Sequence, residues 1–278
     1  MYKVKKGDVV GRISYGKDIL FKVENIVRCS DGKKVAILKG LIIRIEADAN
    51  LEDLVLIEKQ QIQNNMRSLE DKLENKIKMY VKKHMYKEKR KFLGRSNQEE
   101  NGKVLHLDGD KRYTDKSIRY YKKLEIEAVV RNVPENRQEY VVVDLLNRYN
   151  PDILVITGHD GMIKNGTGYN DVYNYRNSKY FINTVREAKK WASMTGKDLV
   201  IFAGACQSYY EALVAAGANF ASSPARVLID FLDPLVVAEK VATTEDYKYI
   251  TINDIADELR DGTRGINGMG ARGKKKSN

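Results

Sequence analysis

From Lys103 to Ser223 the chain alternates between two kinds of pattern, and that alternation constrains the fold more than any other feature. Five short, nearly continuous apolar runs, VLHL, IEAVVRN, ILVIT, LVIFA and NFASS, are separated by helical patterns over 111–124, 135–149, 179–194 and 207–217. A strand covered on only one face alternates apolar and polar residues, whereas a strand covered on both faces reads as an unbroken apolar run. Continuous strands alternating with helices predict a mostly parallel sheet flanked by helices, an α/β architecture. Pro134 stands just before the second helical pattern, where a helix start tolerates it.

The rest of the 278 residues divides around this core. Residues 1–58 contain VKKGDVVGRIS, ILFKVENIVRC, KKVAILKG and LIIRIEA, rich in β-branched residues and broken by turn signals at Tyr15-Gly16-Lys17-Asp18 and Ser30-Asp31-Gly32. They predict a small SH3-like β-barrel. Residues 59–99 predict a basic amphipathic helical linker, with Ile62, Met66, Leu69, Leu73, Ile77, Tyr80 and Val81 at three- and four-residue steps. Gly94 and the polar run Ser96 to Gly102 end it. Residues 100–262 form the expected α/β domain, and the Gly- and Lys-rich stretch 263–278 is expected to be a flexible tail.

Composition excludes several classes. Hydrophobic residues make up 42% of the chain, enough for a core and too many for a disordered chain. No apolar stretch is long enough to span a membrane. The N-terminal MYKVKKGDVV lacks the apolar region of a signal peptide. Two cysteines, Cys29 and Cys206, make no disulfide framework and suit a reducing compartment. The net charge of +11 is concentrated: residues 59–95 hold twelve Lys/Arg against four Asp/Glu, and Arg272 to Lys276 add four basic residues. A solvated helix face explains this without nucleic acid, and no aromatic-rich basic motif of a known reader fold accompanies it.

In open α/β sheets ligands bind beyond the carboxyl ends of the strands. After ILVIT comes Gly158-His159-Asp160-Gly161; after LVIFA comes Gly204-Ala205-Cys206-Gln207-Ser208; after VLHL comes Asp108-Gly109-Asp110. A histidine and a cysteine on neighbouring strand ends suit thiol chemistry, in which the thiolate attacks and the imidazole takes its proton and later protonates the leaving amine. Cys206 follows His159 by 47 positions, matching the caspase order of His before Cys. The Gly-x-Cys-x-Ser segment also resembles a nucleophile elbow, but those folds need a histidine after the nucleophile and none exists beyond 159. No C-x-x-C or H-x₃-H spacing supports a metal site, and thiol chemistry needs no metal or cofactor. His106, inside VLHL, reads as a packed strand residue.

These residues carry a family resemblance. Apolar strand, His near Gly, apolar strand, Ala-Cys resembles the caspase-like peptidases: caspases, clostripain, gingipains, separases and CHAT-domain proteins. The stretches GDVVGRISYGKDILFKV, GKVLHLDGD, RYNPDILVITGHD and LVIFAGACQS, running into AGANFASSPARV, resemble the YabG family of sporulation-specific cysteine peptidases along essentially the whole chain. The resemblance implies a caspase-like domain with a Cys206–His159 dyad. It implies processing of spore coat, coat-morphogenetic and germination-related precursor proteins, after arginine, in the mother-cell cytoplasm of a sporulating bacterium. Most caspase-like enzymes carry Gly directly after the catalytic His; here Asp160 precedes Gly161. The oxyanion donors are then expected to be the backbone N–H of Cys206 with that of Asp160 or Gly161.

Arginine selection needs a carboxylate, because a guanidinium fork is matched by two oxygens. Similar enzymes with basic specificity place an acid after the first strand of the sheet, which makes Asp108 or Asp110 the candidate here; a turn or a helix cap explains either residue equally. Asp160 and Asp233 are weaker candidates, and Ser222 and Ser223 are candidates to line the cleft. The competing readings are a non-catalytic coat-assembly scaffold and a nucleic-acid-binding module, whose affinity would fall steeply with salt. A combined reading has residues 1–58 recruiting the enzyme to its substrates.

Overall fold

The computed structural model describes residues 4–29, 32–92, 99–163 and 168–277. The chain divides into two units, Met1–Ser96 and Asn97–Asn278.

The first unit holds an antiparallel sheet of β1 (Val9–Arg12), β2 (Phe21–Arg28), β3 (Lys34–Gly40), β4 (Glu46–Asn50) and β5 (Leu54–Leu56), in the order β4-β3-β2-β1-β5. Alternation decides which face is covered: Phe21 and Val23 of β2 and Ala36 and Leu38 of β3 are wholly buried, while Lys22 between them is exposed. The turn after β1 closes on Gly16 in the left-handed region, as Tyr15-Gly16-Lys17-Asp18 suggests. The turn at Ser30-Asp31-Gly32 lies partly outside the described residues. LIIRIEA is paired later than its composition suggests, with the strand starting at Glu46.

Helix α1 (Lys59–Phe92) follows. Of its apolar stripe, Ile77 is buried and Ile62 and Met66 are half-buried; the side chains of Leu69, Leu73, Tyr80 and Val81 lie outside the described residues, as does most of the break from Gly94 to Gly102. Among the described residues no helix is long and apolar enough to cross a membrane.

The second unit is a mixed α/β layer structure. In chain order its elements are β6 (Glu99–Glu100), β7 (Val104–Asp108), α2 (Lys111–Lys123), β8 (Ala128–Asn132), α3 (Glu135–Tyr149), β9 (Ile153–Thr157), α4 (Ser178–Thr195) and β10 (Val200–Ala203). Then come α5 (Tyr210–Ala215), β11 (Phe220–Ser222), α6 (Asp233–Thr243), β12 (Tyr249–Ile250), β13 (Ile266–Gly268), β14 (Ala271–Arg272) and β15 (Lys276–Ser277). The main sheet has six strands in the order β13-β11-β10-β9-β7-β8. Its strands are parallel except β13, which runs antiparallel to β11.

Every residue of β7, β9 and β10 is buried. Leu105, Leu107, Leu154, Ile156, Ile201 and Ala203 pack with Val142 and Leu146 of α3 and with Phe181, Val185 and Ala188 of α4. The intervening positions face the other way, where the His106 ring meets Tyr121 of α2 edge to face. Each wholly buried Leu or Ile here contributes on the order of 2 kcal/mol relative to exposure. Coverage on both faces is why the runs are continuous rather than alternating.

One helix is unmarked in the sequence, and one expectation needs correction. Asp233–Thr243 shows no helical period, yet α6 lies there with nine of its eleven residues buried. A helix buried nearly all round has no polar stripe to reveal a 3.6-residue period. The stretch 263–278 is not a loose tail over its described part: β13 extends the main sheet, β14 pairs with β12, and β15 pairs with β6. Its glycines permit close backbone approach, since a Cβ on Gly268 would lie 2.0 Å from the Asn219 carbonyl oxygen. Lys274 is buried, with its Nζ 2.6 Å from the Asp198 carboxylate.

Candidate active site

The ends of β9 and β10 lie side by side. Ile156 is registered with Ala203, and the Gly204 N–H donates to the Ile156 carbonyl at 3.0 Å. Gly204 turns the chain out of the sheet with φ +113, and a Cβ there would lie 2.5 Å from Ser222 Oγ. The loop carrying His159 and the loop carrying Cys206 therefore emerge at the same edge, from adjacent strands.

Asp160 staples the two loops. It is wholly buried, and its Oδ2 accepts hydrogen bonds from Ser208 Oγ, 2.8 Å away in the cysteine loop, and from Ser178 Oγ at the start of α4. Its Oδ1 accepts from the backbone N–H groups of Gly161 and Asn177 at 2.9 and 2.8 Å. Burial pushes its carboxyl up to about 6, and the four hydrogen bonds oppose the shift without cancelling it. The Gly161 N–H, one of the expected oxyanion donors, is thus directed at Asp160.

His159 is wholly buried. Its backbone N–H donates to Glu135 Oε1 at 2.8 Å, and its carbonyl accepts from Asn177 Nδ2 at 2.9 Å. Two carboxylates flank the ring: Glu135 Oε1 lies 3.8 Å from Nδ1, and Asp110 Oδ2 lies 3.8 Å from Nε2. Tyr113 lies against the ring with a centroid separation of 5.9 Å and itself stacks on Phe231 at 5.5 Å.

The Cys206 sulfur accepts the Ile229 N–H at 3.4 Å and lies 3.8 Å from the Ile229 carbonyl oxygen. The stretch Ile229–Phe231 thus touches the sulfur at one end and, through Tyr113, the histidine surroundings at the other. It also covers the thiol, which is wholly buried while Cys29 is exposed. In the resting protein an aromatic disulfide reagent should modify Cys29 rapidly and Cys206 about a hundredfold more slowly, at the rate of local opening. Equal rates in stopped-flow absorbance, with both thiols equally reactive in urea, would show that the Ile229 segment does not guard the sulfur.

The two candidate specificity acids differ sharply. Asp108 is wholly buried; its Oδ1 accepts the Asp110 N–H at 2.8 Å and its Oδ2 accepts from Thr157 Oγ1 at 2.9 Å. Thr157 Oγ1 in turn lies 2.8 Å from His106 Nε2. Asp108 and His106 are thus held in one internal network between β7, β9 and α2. Asp110 caps α2, with Oδ1 accepting from the Arg112 N–H and Nε at 2.8 and 3.1 Å and Oδ2 from Arg112 Nη2. Burial alone pushes its carboxyl up, but the hydrogen bonds and charge of Arg112 bring it down to about 2.

Ser222 and Ser223 are wholly buried and bonded within the chain, to the carbonyls of Ala205 and Val227 at 3.0 and 2.8 Å. Asp233 accepts the backbone N–H groups of Asp230 and Arg260 at 2.8 and 3.0 Å. Glu135 does not stand out in the sequence: it follows the strand IEAVVRN, whose end carries no His or Cys. A survey of acids at every strand end would have included it, because Pro134 marks the helix start that brings it back to the edge of the sheet.

Comparison with known proteins supplies the family. Residues 5–278 match the family model described as YabG peptidase U57. The chain is 38% identical over 277 residues to the sporulation-specific protease YabG of Bacillus subtilis (strain 168), covering 96% of this chain and 94% of that protein. No solved structure gives a significant match. With a family model spanning nearly all its residues and a relative this similar over nearly its whole length, the chain belongs to the YabG family of peptidases.

Proposed function

We propose that this peptidase is a cysteine endopeptidase of sporulation, with Cys206 as nucleophile and His159 as its base, that processes spore coat and coat-morphogenetic precursors after arginine in the mother-cell cytoplasm. The observation that carries this reading is the pairing of β9 with β10, which delivers both loops to one edge of the sheet, where Asp160 fastens them together. The Cys206 thiolate attacks the scissile carbonyl carbon, the imidazolium of His159 gives its proton to the leaving amine, and water, deprotonated by the same imidazole, releases the acyl group. Attack requires the Ile229 segment to lift off the sulfur. The N–H groups of Cys206 and Asp160 are the preferred oxyanion donors, since that of Gly161 is engaged; such a donor is worth about 3 kcal/mol.

Asp110 is favoured over Asp108 as the arginine-recognising carboxylate. It lies beside the His159 ring, and its partner Arg112 is a guanidinium that a substrate arginine would have to displace, whereas Asp108 faces an internal network. Its strand order and single antiparallel edge strand support a caspase-like relationship for the second unit, over 100–262 joined by 263–278. The antiparallel sheet of residues 1–58 supports an SH3-like recruitment module, with 59–99 as its linker.

An arginyl peptide chloromethyl ketone tests this reading. Mass mapping should find the adduct on Cys206, and His159→Ala should slow labelling about a hundredfold. Asp110→Asn should reduce the preference for the arginyl probe over a neutral isostere about tenfold. Labelling confined to Cys29 would remove the thiol mechanism, and unchanged probe preference in the Asp110 variant would remove the specificity assignment.

A further inference from the structure

Glu135 is an acid in an unusual position. As the first residue of α3 its charge suits the helix N-terminus, where such side chains normally face water. Here it is only 6% exposed, and its side chain reaches across the ends of β7 and β9. The slot that admits it is built by two glycines. A Cβ on Gly109 would lie 2.3 Å from Glu135 Oε1, and one on Gly158 would lie 2.6 Å from the same atom. Neither glycine has a positive φ, so the backbone could carry a side chain at both positions; a Cβ there would have to displace the Glu135 carboxylate. The strand ends after β7 and β9 are thus shaped around one charged group, and that group touches the residue that follows Gly158, which is His159.

Resting on the dyad reading above, we infer that Glu135 is the positioning residue for His159: it fixes the ring through the backbone and stabilises the imidazolium from the Nδ1 side. Its Oε1 accepts the His159 N–H at 2.8 Å and stands 3.8 Å from Nδ1. The charged and titratable groups facing the ring include Glu135 from α3, Asp110 from the β7–α2 turn and Tyr113 from α2. Asp110 is bound through both oxygens to the guanidinium of Arg112, which offsets its charge at the ring. Glu135 is therefore the acid placed to hold the cationic imidazole that balances the thiolate. A buried carboxylate near a histidine favours its protonated form and extends the range over which the thiolate–imidazolium pair exists.

The alternative is a backbone tether with no electrostatic role, and Glu135→Gln separates the two, because the amide oxygen keeps the acceptor for the His159 N–H while the charge is removed. The assay is hydrolysis of dye-labelled casein, with kcat/KM followed between pH 5 and pH 10 and expressed as the ratio of variant to wild type. We expect Glu135→Gln to lower kcat/KM at least tenfold at pH 8 and to move its alkaline limb down by about one pH unit. Glu135→Asp, which keeps the charge but withdraws it by one methylene, should show a smaller loss and a smaller shift in the same direction. It decides the matter if the Gln variant does not fold. A wild-type pH profile and rate in whichever variant folds overturns the inference while leaving the dyad intact. Casein hydrolysis that survives Cys206→Ala overturns the dyad reading itself, and the inference with it.

Discussion

Cys206→Ala should abolish proteolysis, lowering kcat on casein by about 10⁵-fold or more, to the level of a protein-free control. Fold should be retained. Removing one buried sulfur costs about 1 kcal/mol, because Cys206 acts in packing as a small apolar group and the space it leaves is small. For a unit of this size that lowers Tm by roughly 3 °C. His159→Ala should approach the same loss of activity, and the double variant should lose no more than the more impaired single one, since in the proposed dyad nucleophile and base act on one proton. The measurement is casein hydrolysis beside circular dichroism of the same samples. A well-folded Cys206→Ala protein that still cuts would assign the chemistry to another residue.

The second large effect belongs to Asp160. Four donors converge on its carboxylate, and two of them are hydroxyls that each already accept a backbone N–H: Ser208 Oγ from Ala205, and Ser178 Oγ from Tyr209. Each hydroxyl must then send its own proton to Asp160. Asp160→Ala strands those protons and the N–H groups of Gly161 and Asn177 in a buried site, which should cost about 3 kcal/mol. Thermal unfolding should show Tm lowered by roughly 10 °C. Casein hydrolysis should fall about a hundredfold, because the staple between the two loops of the proposed dyad is gone.

The difference also carries a pH signature. Burial holds the folded-state carboxyl at about 6, above its ordinary value of 3.8, so the folded chain keeps this proton where the unfolded chain has lost it. The group's contribution is complete below the ordinary value and declines as pH rises through 6. In urea titrations the gap between wild type and Asp160→Ala should be about 1 kcal/mol wider at pH 5 than at pH 8. A constant gap would place the titration elsewhere, and wild-type stability together with wild-type activity would mean that Asp160 holds nothing.

Much of the second unit is written into local sequence. The apolar runs that form β7, β9 and β10, and the helical periods that form α2, α3 and α4, follow from burial on two faces or on one stripe, which neighbouring residues alone record. The same locality explains why His159 and Cys206 stand out: each is the reactive group at the end of an apolar run. It also explains what is hidden. Helix α6 has no exposed face to mark it, and 263–278 looks like a tail until its glycines and lysine stems are seen against β6, β11 and β12. Asp108 and Asp110 are two residues apart and chemically identical, so only their partners, Thr157 for one and Arg112 for the other, separate an internal network from the edge of the site. Glu135 and Asp160 are ordinary acids until the sheet register brings one behind His159 and the other across to Ser208. Residue type and order along the chain determined which elements form and where the proposed nucleophile and base stand; contact between residues distant in sequence, fixed by strand pairing and close packing, decided which acids lie beside them.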